Sequence, residues 1–201
     1  MTSSRKVSKE RTRNRLIQGT LKVLYKDGPA ALTTGRIAES AGVAQPTFYV
    51  HFSDMSDALQ QAADAVSEKL LARLRELRRN VQQDASADGV REAVASTINA
   101  LLTDPKSTEL FLRHRRDVGT PLGRTWRQMF DRAREELLAD LHEMGLGNSV
   151  PHLEVHSEII AGMVLGVVEG VLDKRIKDKE LAIDVLTETV DMRDCVREWL
   201  A

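Results

Sequence analysis

The chain has 201 residues, 42% of them hydrophobic, with 29 lysines and arginines against 30 aspartates and glutamates. That is enough apolar material for one large domain or two small ones, and it excludes general disorder. A single cysteine, Cys195, excludes a disulfide scaffold and cannot by itself build a thiolate metal site.

The near-neutral total hides a split. Residues 1–52 carry nine basic side chains and three acidic ones, whereas the remainder carries 20 and 27. A front end this basic is the electrostatic footprint of a segment that meets a polyanion. The amino terminus is polar and has no apolar signal segment. The longest apolar stretch, residues 159–168, falls short of the roughly 20 residues of a membrane span. The expectation is a soluble cytoplasmic protein with no membrane partner.

Apolar residues recur at helical spacing almost throughout, without sustained alternation, so the fold class is all-α with about nine helices. A basic arm over residues 1–8 precedes a first helix whose stripe is Leu16, Thr20 or Leu21, and Leu24, ended by Asp27-Gly28-Pro29. Two short helices follow. Thr33 or Thr34 caps the first, which runs to about Ala41; Gly42 makes the turn, and the second covers about Ala44 to His51. Ser53 starts a long helix to about Gln83 that turns Leu59, Ala63, Val66, Leu70, Leu74 and Leu77 inward. Further helices are predicted at about 90–103, 106–118, 121–144, 151–174 and 178–200, divided by Pro- and Gly-containing breaks. The domains expected are 1–52, the basic front with its arm, and 53–201, the helical remainder.

The helix, tight glycine turn and short second helix form a helix-turn-helix pattern. Ile37, Val43 and Phe48 can close a miniature core, and Ala38 is small where the short helices approach. The outer surface then offers Gln45, Pro46, Thr47 and Tyr49. An amide can read a base edge, a hydroxyl a base or phosphate, proline can meet a thymine methyl, and a phenol can reach phosphate. The blander reading is a three-helix subdomain with a merely solvated polar face; the basic arm argues against it.

The run from Leu32 to Phe52, LTTGRIAESAGVAQPTFYVHF, closely resembles the DNA-binding region of the TetR family of bacterial transcriptional regulators, through I-A-x-x-A-G-V and T-F-Y-x-H-F. The resemblance is strong over about residues 10–65 and elsewhere covers only length and helical pattern. It implies a homodimeric repressor that binds double-stranded DNA at a palindromic operator through its front three helices, with a small-molecule pocket behind them. Thr34, Gln45, Pro46, Thr47, Tyr49 and His51 fall on family contact or support positions; Thr33 and Arg36 complete the candidate DNA-binding set. Two departures stand out. Ser53-Asp54-Met55 lacks the lysine that often follows H-F, and Gly35 replaces a long side chain, which can pass some reading to Arg36.

In the rear domain, Gly162, Gly166 and Gly170 recur every four residues, a stripe suited either to a dimer interface or to close packing within one chain. Val185 and Trp199 join it as candidate interface residues of a four-helix bundle across a two-fold axis. Phe111, Trp126, Met129, Phe130 and Met163 are core residues or the apolar wall of a ligand pocket. Arg113, His114 and Arg116 are a solvated face or a site for an anionic headgroup. The segment from Asp104-Pro105 to Gly119-Thr120 is similar to the corresponding part of repressors of bacterial unsaturated fatty-acid synthesis, which implies a long-chain acyl-CoA or fatty-acid effector. His152 and His156 share helical spacing with Glu158 nearby but lack an evident third ligand, so no metal or cofactor is assigned. No phosphate loop or catalytic motif calls for an enzyme. The competing class is a helical small-molecule binding or interaction protein whose helix-turn-helix has lost DNA function.

Overall fold

The computed structural model describes residues 2–81, 87–143 and 152–190. Among these residues there are nine α-helices and no strand: α1 (Thr2–Asp27), α2 (Thr34–Ala41), α3 (Phe48–His51), α4 (Met55–Val81), α5 (Ala87–Leu102), α6 (Pro105–His114), α7 (Pro121–Glu143), α8 (Leu153–Leu172) and α9 (Lys179–Val190). Short 3-10 turns at Pro29–Ala31 and Gln45–Thr47 precede α2 and α3. The chain divides into two compact units, residues 1–68 with 113–127, and residues 69–112 with 128–201.

In the first unit α1 packs against α2. Leu16, Thr20, Leu21 and Leu24 are all buried, as their spacing predicts, and Ile37, Ala38, Phe48 and Phe52 complete this core; Val43 is half-buried. Gly19 lets the two helices approach closely: a Cβ there would lie 2.9 Å from the Ile37 carbonyl oxygen and 3.3 Å from Ala41 Cβ. The basic segment expected as an arm is instead the start of α1. Residues 2–15 contain neither glycine nor proline and include lysine, arginine and glutamate, good helix formers.

At the head of α4 the cap is Asp54 rather than Ser53. The Asp54 carboxylate accepts from the Asp57 N–H at 2.8 Å, and the Asp57 carboxylate reaches back to the Ser53 N–H at 2.9 Å, so two backbone donors are satisfied reciprocally. Backbone and side-chain hydrogen bonds from Ser53 hold the Asp57 carboxyl below the usual carboxylate range, against the opposing effect of burial. The buried positions of α4 are Ala58, Ala62, Ala63, Ser67, Leu70 and Leu71; Leu59, Val66, Leu74 and Leu77 are only half-buried. Ala63 and Leu70 are buried as expected, and burial extends to both sides of that stripe, to Ala58 and Ala62 and to Ser67 and Leu71. Gln60 Nε2 donates to Thr125 Oγ1 at 2.8 Å, and that hydroxyl donates to Asp64 at 3.1 Å, which ties α4 to the first turns of α7.

In the second unit α5 packs against α8 and α9, and α8 against α9. Ile98, Phe111, Val168 and Ile183 are fully buried there. Arg91 pairs across to α9 with Asp184 at 2.7 Å and Glu180 at 3.4 Å. By length and composition α8 is long and apolar enough to cross a membrane, and five of its 20 residues are buried. It exceeds the uninterrupted apolar run because its head, which includes Glu154, His156 and Glu158, belongs to the same helix. Val155, Ile159, Gly162 and Gly166, at steps of four, three and four, share one exposed face.

Candidate nucleic-acid interface

The recognition element is built on one buried ring. Phe48 has no exposed surface; it meets Tyr49 edge-on at 5.3 Å and Phe52 at a tilt at 5.2 Å. With Phe48 anchored, its neighbours on the chain must turn the other way. Gln45 and Pro46 are exposed, Thr47 is half-buried, and Tyr49 is 60% and Val50 62% exposed. Pro46 sits in the 3-10 turn ahead of α3, where a missing N–H costs nothing.

The turn that presents this element is fixed at both ends. Gly42 adopts a left-handed conformation (φ 63°), with its N–H on the Glu39 carbonyl and the Val43 N–H on the Ala38 carbonyl, the Schellman arrangement that ends α2. Arg15 of α1 donates to the Gly42 carbonyl at 2.9 Å and pins the turn to the first helix. At the other end of α2 the two threonines take separate tasks. Thr33 Oγ1 accepts from the Arg36 N–H at 3.2 Å and is the cap, while Thr34 Oγ1 accepts from Gln45 Nε2 at 2.9 Å.

Arg36 points elsewhere. Its guanidinium pairs with the Asp27 carboxylate and donates to the Ala31 carbonyl at 3.2 Å, closing the link between α1 and α2. His51 lies at the other end of α3, half-buried, and its Nδ1 is enclosed without a hydrogen-bond partner. Burial, then the positive charges of Lys9 and Arg13, lower its pKa below the usual histidine value, with Glu10 opposing. Where a lysine often follows H-F, this chain has Met55, half-buried in the first turn of α4.

Arg15 and Gly19 escaped the sequence reading. Arg15 was counted only as charge; Gly19 carried a usable signal, a helix-disfavoured residue inside an otherwise regular helix.

The rear candidates are distributed between the units. Arg113, His114, Arg116 and Trp126 belong to the first, and Phe111, Met129, Phe130 and Met163 to the second. Phe111, Trp126 and Met129 are buried, Phe130 and Met163 half-buried, and Arg113 and Arg116 exposed. The glycine stripe divides as well. Nothing lies within 4 Å of a Cβ built on Gly162 or Gly166, whereas one on Gly170 would lie 2.7 Å from Ile176 of its own chain, so Gly170 packs within the protomer. Val185 is 54% exposed; Trp199 and Cys195 lie outside the described residues. His152 is exposed and His156 half-buried, and among the described residues no three His, Cys, Asp or Glu side chains are grouped to hold a metal ion.

Residues 16–62 match the family model described as bacterial regulatory proteins, tetR family. The whole chain aligns at 24% identity with the HTH-type transcriptional regulator TtgR of Pseudomonas putida, covering 93% of that protein. In structure, a TetR-family transcriptional regulator from Mesorhizobium loti superposes with a TM-score of 0.75 at 16% identity, over 90% of this chain and 96% of that one. The fatty acid degradation regulator FadR from Bacillus halodurans gives 0.67 at 18% identity, over 89% and 97%. The structural likenesses establish a shared fold.

Proposed function

We propose that this chain, a member of the TetR family of bacterial regulatory proteins, is a ligand-responsive repressor that binds a palindromic operator as a homodimer in the cytoplasm. It is a binding protein and not an enzyme. The observation that carries this reading is the placement of Gln45, Pro46 and Tyr49 on the exposed side of an element whose inner side is the fully buried Phe48. Side chains able to bond bases and phosphates thus stand on a rigid support, next to a basic helix. Residues 1–52 form the DNA-binding domain, with Thr33, Thr34, Arg36, Gln45, Pro46, Thr47, Tyr49 and His51 as its contact and support set. Phosphate contacts supply affinity, and a few base contacts supply choice of sequence.

The remainder dimerises the protein and receives the effector. Support for the dimer comes from Val155 and Ile159 on α8 and Leu181 and Val185 on α9, each more than half exposed in the protomer. An exposed apolar face of this kind is what a subunit interface covers. The effector is a long-chain acyl-CoA or another hydrophobic anion. Phe111, Met129, Phe130 and Met163, all in the second unit, are the apolar side chains proposed to receive it; the regulatory role in fatty acid degradation printed for the Bacillus halodurans neighbour agrees with that class. Effector binding changes the separation of the two recognition elements, at a coupling of about 1–3 kcal/mol.

Selection of bound duplexes from a random pool, followed by titration at several salt concentrations, tests the reading. An enriched palindrome with steep salt dependence is expected. Retention of all sequences alike, or of none, refutes it.

A further inference from the structure

We propose that Thr34 is a positioning residue that fixes how Gln45 meets the duplex, and that the pair selects an A·T base pair at one position of each half-site. The inference rests on the DNA-binding reading above and adds to it which base is read and which residue aims the reader.

The two threonines at the head of α2 are adjacent but not equivalent. Thr33 spends its oxygen on the Arg36 N–H as the helix cap. Thr34, half-buried one residue on, accepts one hydrogen of the Gln45 amide at 2.9 Å. An exposed glutamine normally samples many rotamers, and holding it on the duplex costs that freedom on binding. Here the amide is held before DNA arrives. With one N–H committed to Thr34, the amide keeps its second N–H and Oε1, one donor and one acceptor. In the major groove adenine offers the complement, the N6 amino group and N7, whereas guanine offers two acceptors at N7 and O6, one of which would oppose Oε1.

Gly35 completes the device. A Cβ built on it would have Gln45 Oε1 at 3.9 Å and Cδ at 4.0 Å as its nearest neighbours. A side chain at position 35 would thus start in van der Waals contact with the Gln45 amide.

The test uses the full-length protein and the duplex it selects, with each half-site position replaced in turn by the other three base pairs and affinities measured by competition. The wild type is expected to prefer A·T at one position per half-site by about tenfold, a preference that Gln45→Ala removes. Thr34→Val keeps the shape but cannot accept the amide hydrogen; it should reduce the preference at that position to under about threefold, leaving the other positions and the salt slope unchanged. Thr34→Ser should restore the preference, and adding Gln45→Ala to Thr34→Val should remove only the preference which that variant keeps. Full preference retained by Thr34→Val, loss spread evenly over all positions, or G·C chosen at the Gln45-dependent position would each overturn the inference while leaving the regulator reading intact. A wild type that selects no duplex overturns the regulator reading and this inference with it.

Discussion

Phe48 and Tyr49 are neighbours in sequence with opposite surroundings, so truncating each should affect a different observable. Phe48 is fully enclosed and touches both Tyr49 and Phe52. Phe48→Ala removes a buried ring at a cost of about 3–5 kcal/mol. Against a total domain stability of about 5–15 kcal/mol, that is about a fifth or more of what holds the front helices together. Tyr49 is 60% exposed, and Tyr49→Ala loses mainly the edge contact to Phe48, worth about 0.5–1.5 kcal/mol. On the proposed DNA-binding reading its exposed hydroxyl donates to a phosphate, a bond worth about 1.5–3 kcal/mol in the complex, roughly tenfold to a hundredfold in operator affinity. Thermal melting by circular dichroism and operator titration by fluorescence anisotropy, at one salt concentration, separate the two effects. Phe48→Ala should melt early and bind weakly; Tyr49→Ala should melt close to the wild type and still bind weakly. A Tyr49→Ala protein that melts as early as Phe48→Ala, or binds as tightly as the wild type, would refute the assignment of inner and outer faces.

Three further outcomes are expected. Because the folded state lowers the His51 pKa, the unfolded chain takes up that proton first; the stability due to neutral His51 is present above about pH 6.5 and falls as the pH drops through and below that value. Melting temperatures from about pH 7.5 to about 5.5 should therefore decline less steeply for His51→Gln than for the wild type, and parallel declines would exclude His51 as the source. Arg36→Ala breaks a partly exposed ion pair and should cost up to about 1 kcal/mol of stability without altering base preference; loss of preference at one base pair would show that Arg36 leaves Asp27 to read DNA. Ile159→Asp with Val185→Asp changes side chains that are more than half exposed in the protomer, so the helical circular dichroism signal should persist while sedimentation shifts to the monomer. A double variant that sediments as the wild type does would exclude this face as the interface.

The front of the chain was legible because its signals are local. Gly42 needs only its own backbone conformation to end α2, Thr33 needs only the N–H three residues on, and the burial of Phe48 follows from helical spacing. What escaped depended on partners distant in sequence. Arg36 could not be placed without knowing that Asp27 and the Ala31 carbonyl lie beside it, nor Arg15 without the Gly42 carbonyl 27 residues away. On α4, periodicity gave the helix and placed Ala63 and Leu70 inward, but it could not show that burial also takes in Ala58 and Ala62 while Leu74 and Leu77 stay half-buried. The glycine stripe of α8 was visible as a stripe, but only Ile176 reveals that Gly170 packs within the chain while Gly162 and Gly166 stand open.

The exposed apolar face of α8 and α9 and the shortness of the recognition element bear on one another. The 3-10 turn and α3 together span only Gln45–His51, which leaves room for two or three base-reading side chains. At about 1–3 kcal/mol for each good contact, one copy discriminates by about 2–9 kcal/mol. Specific DNA-binding proteins separate their sites from bulk DNA by roughly 4–10 kcal/mol, a range whose lower end one copy with modest contacts misses and two copies reach by summing their half-sites. Nonspecific attraction, set by phosphate neutralisation, is already available to a single basic front unit. Opening the α8 and α9 face should thus erode discrimination between operator and random duplex more than it erodes binding to random duplex, so the ratio of the two affinities, measured at one salt concentration, links the rear apolar face to the reading of bases.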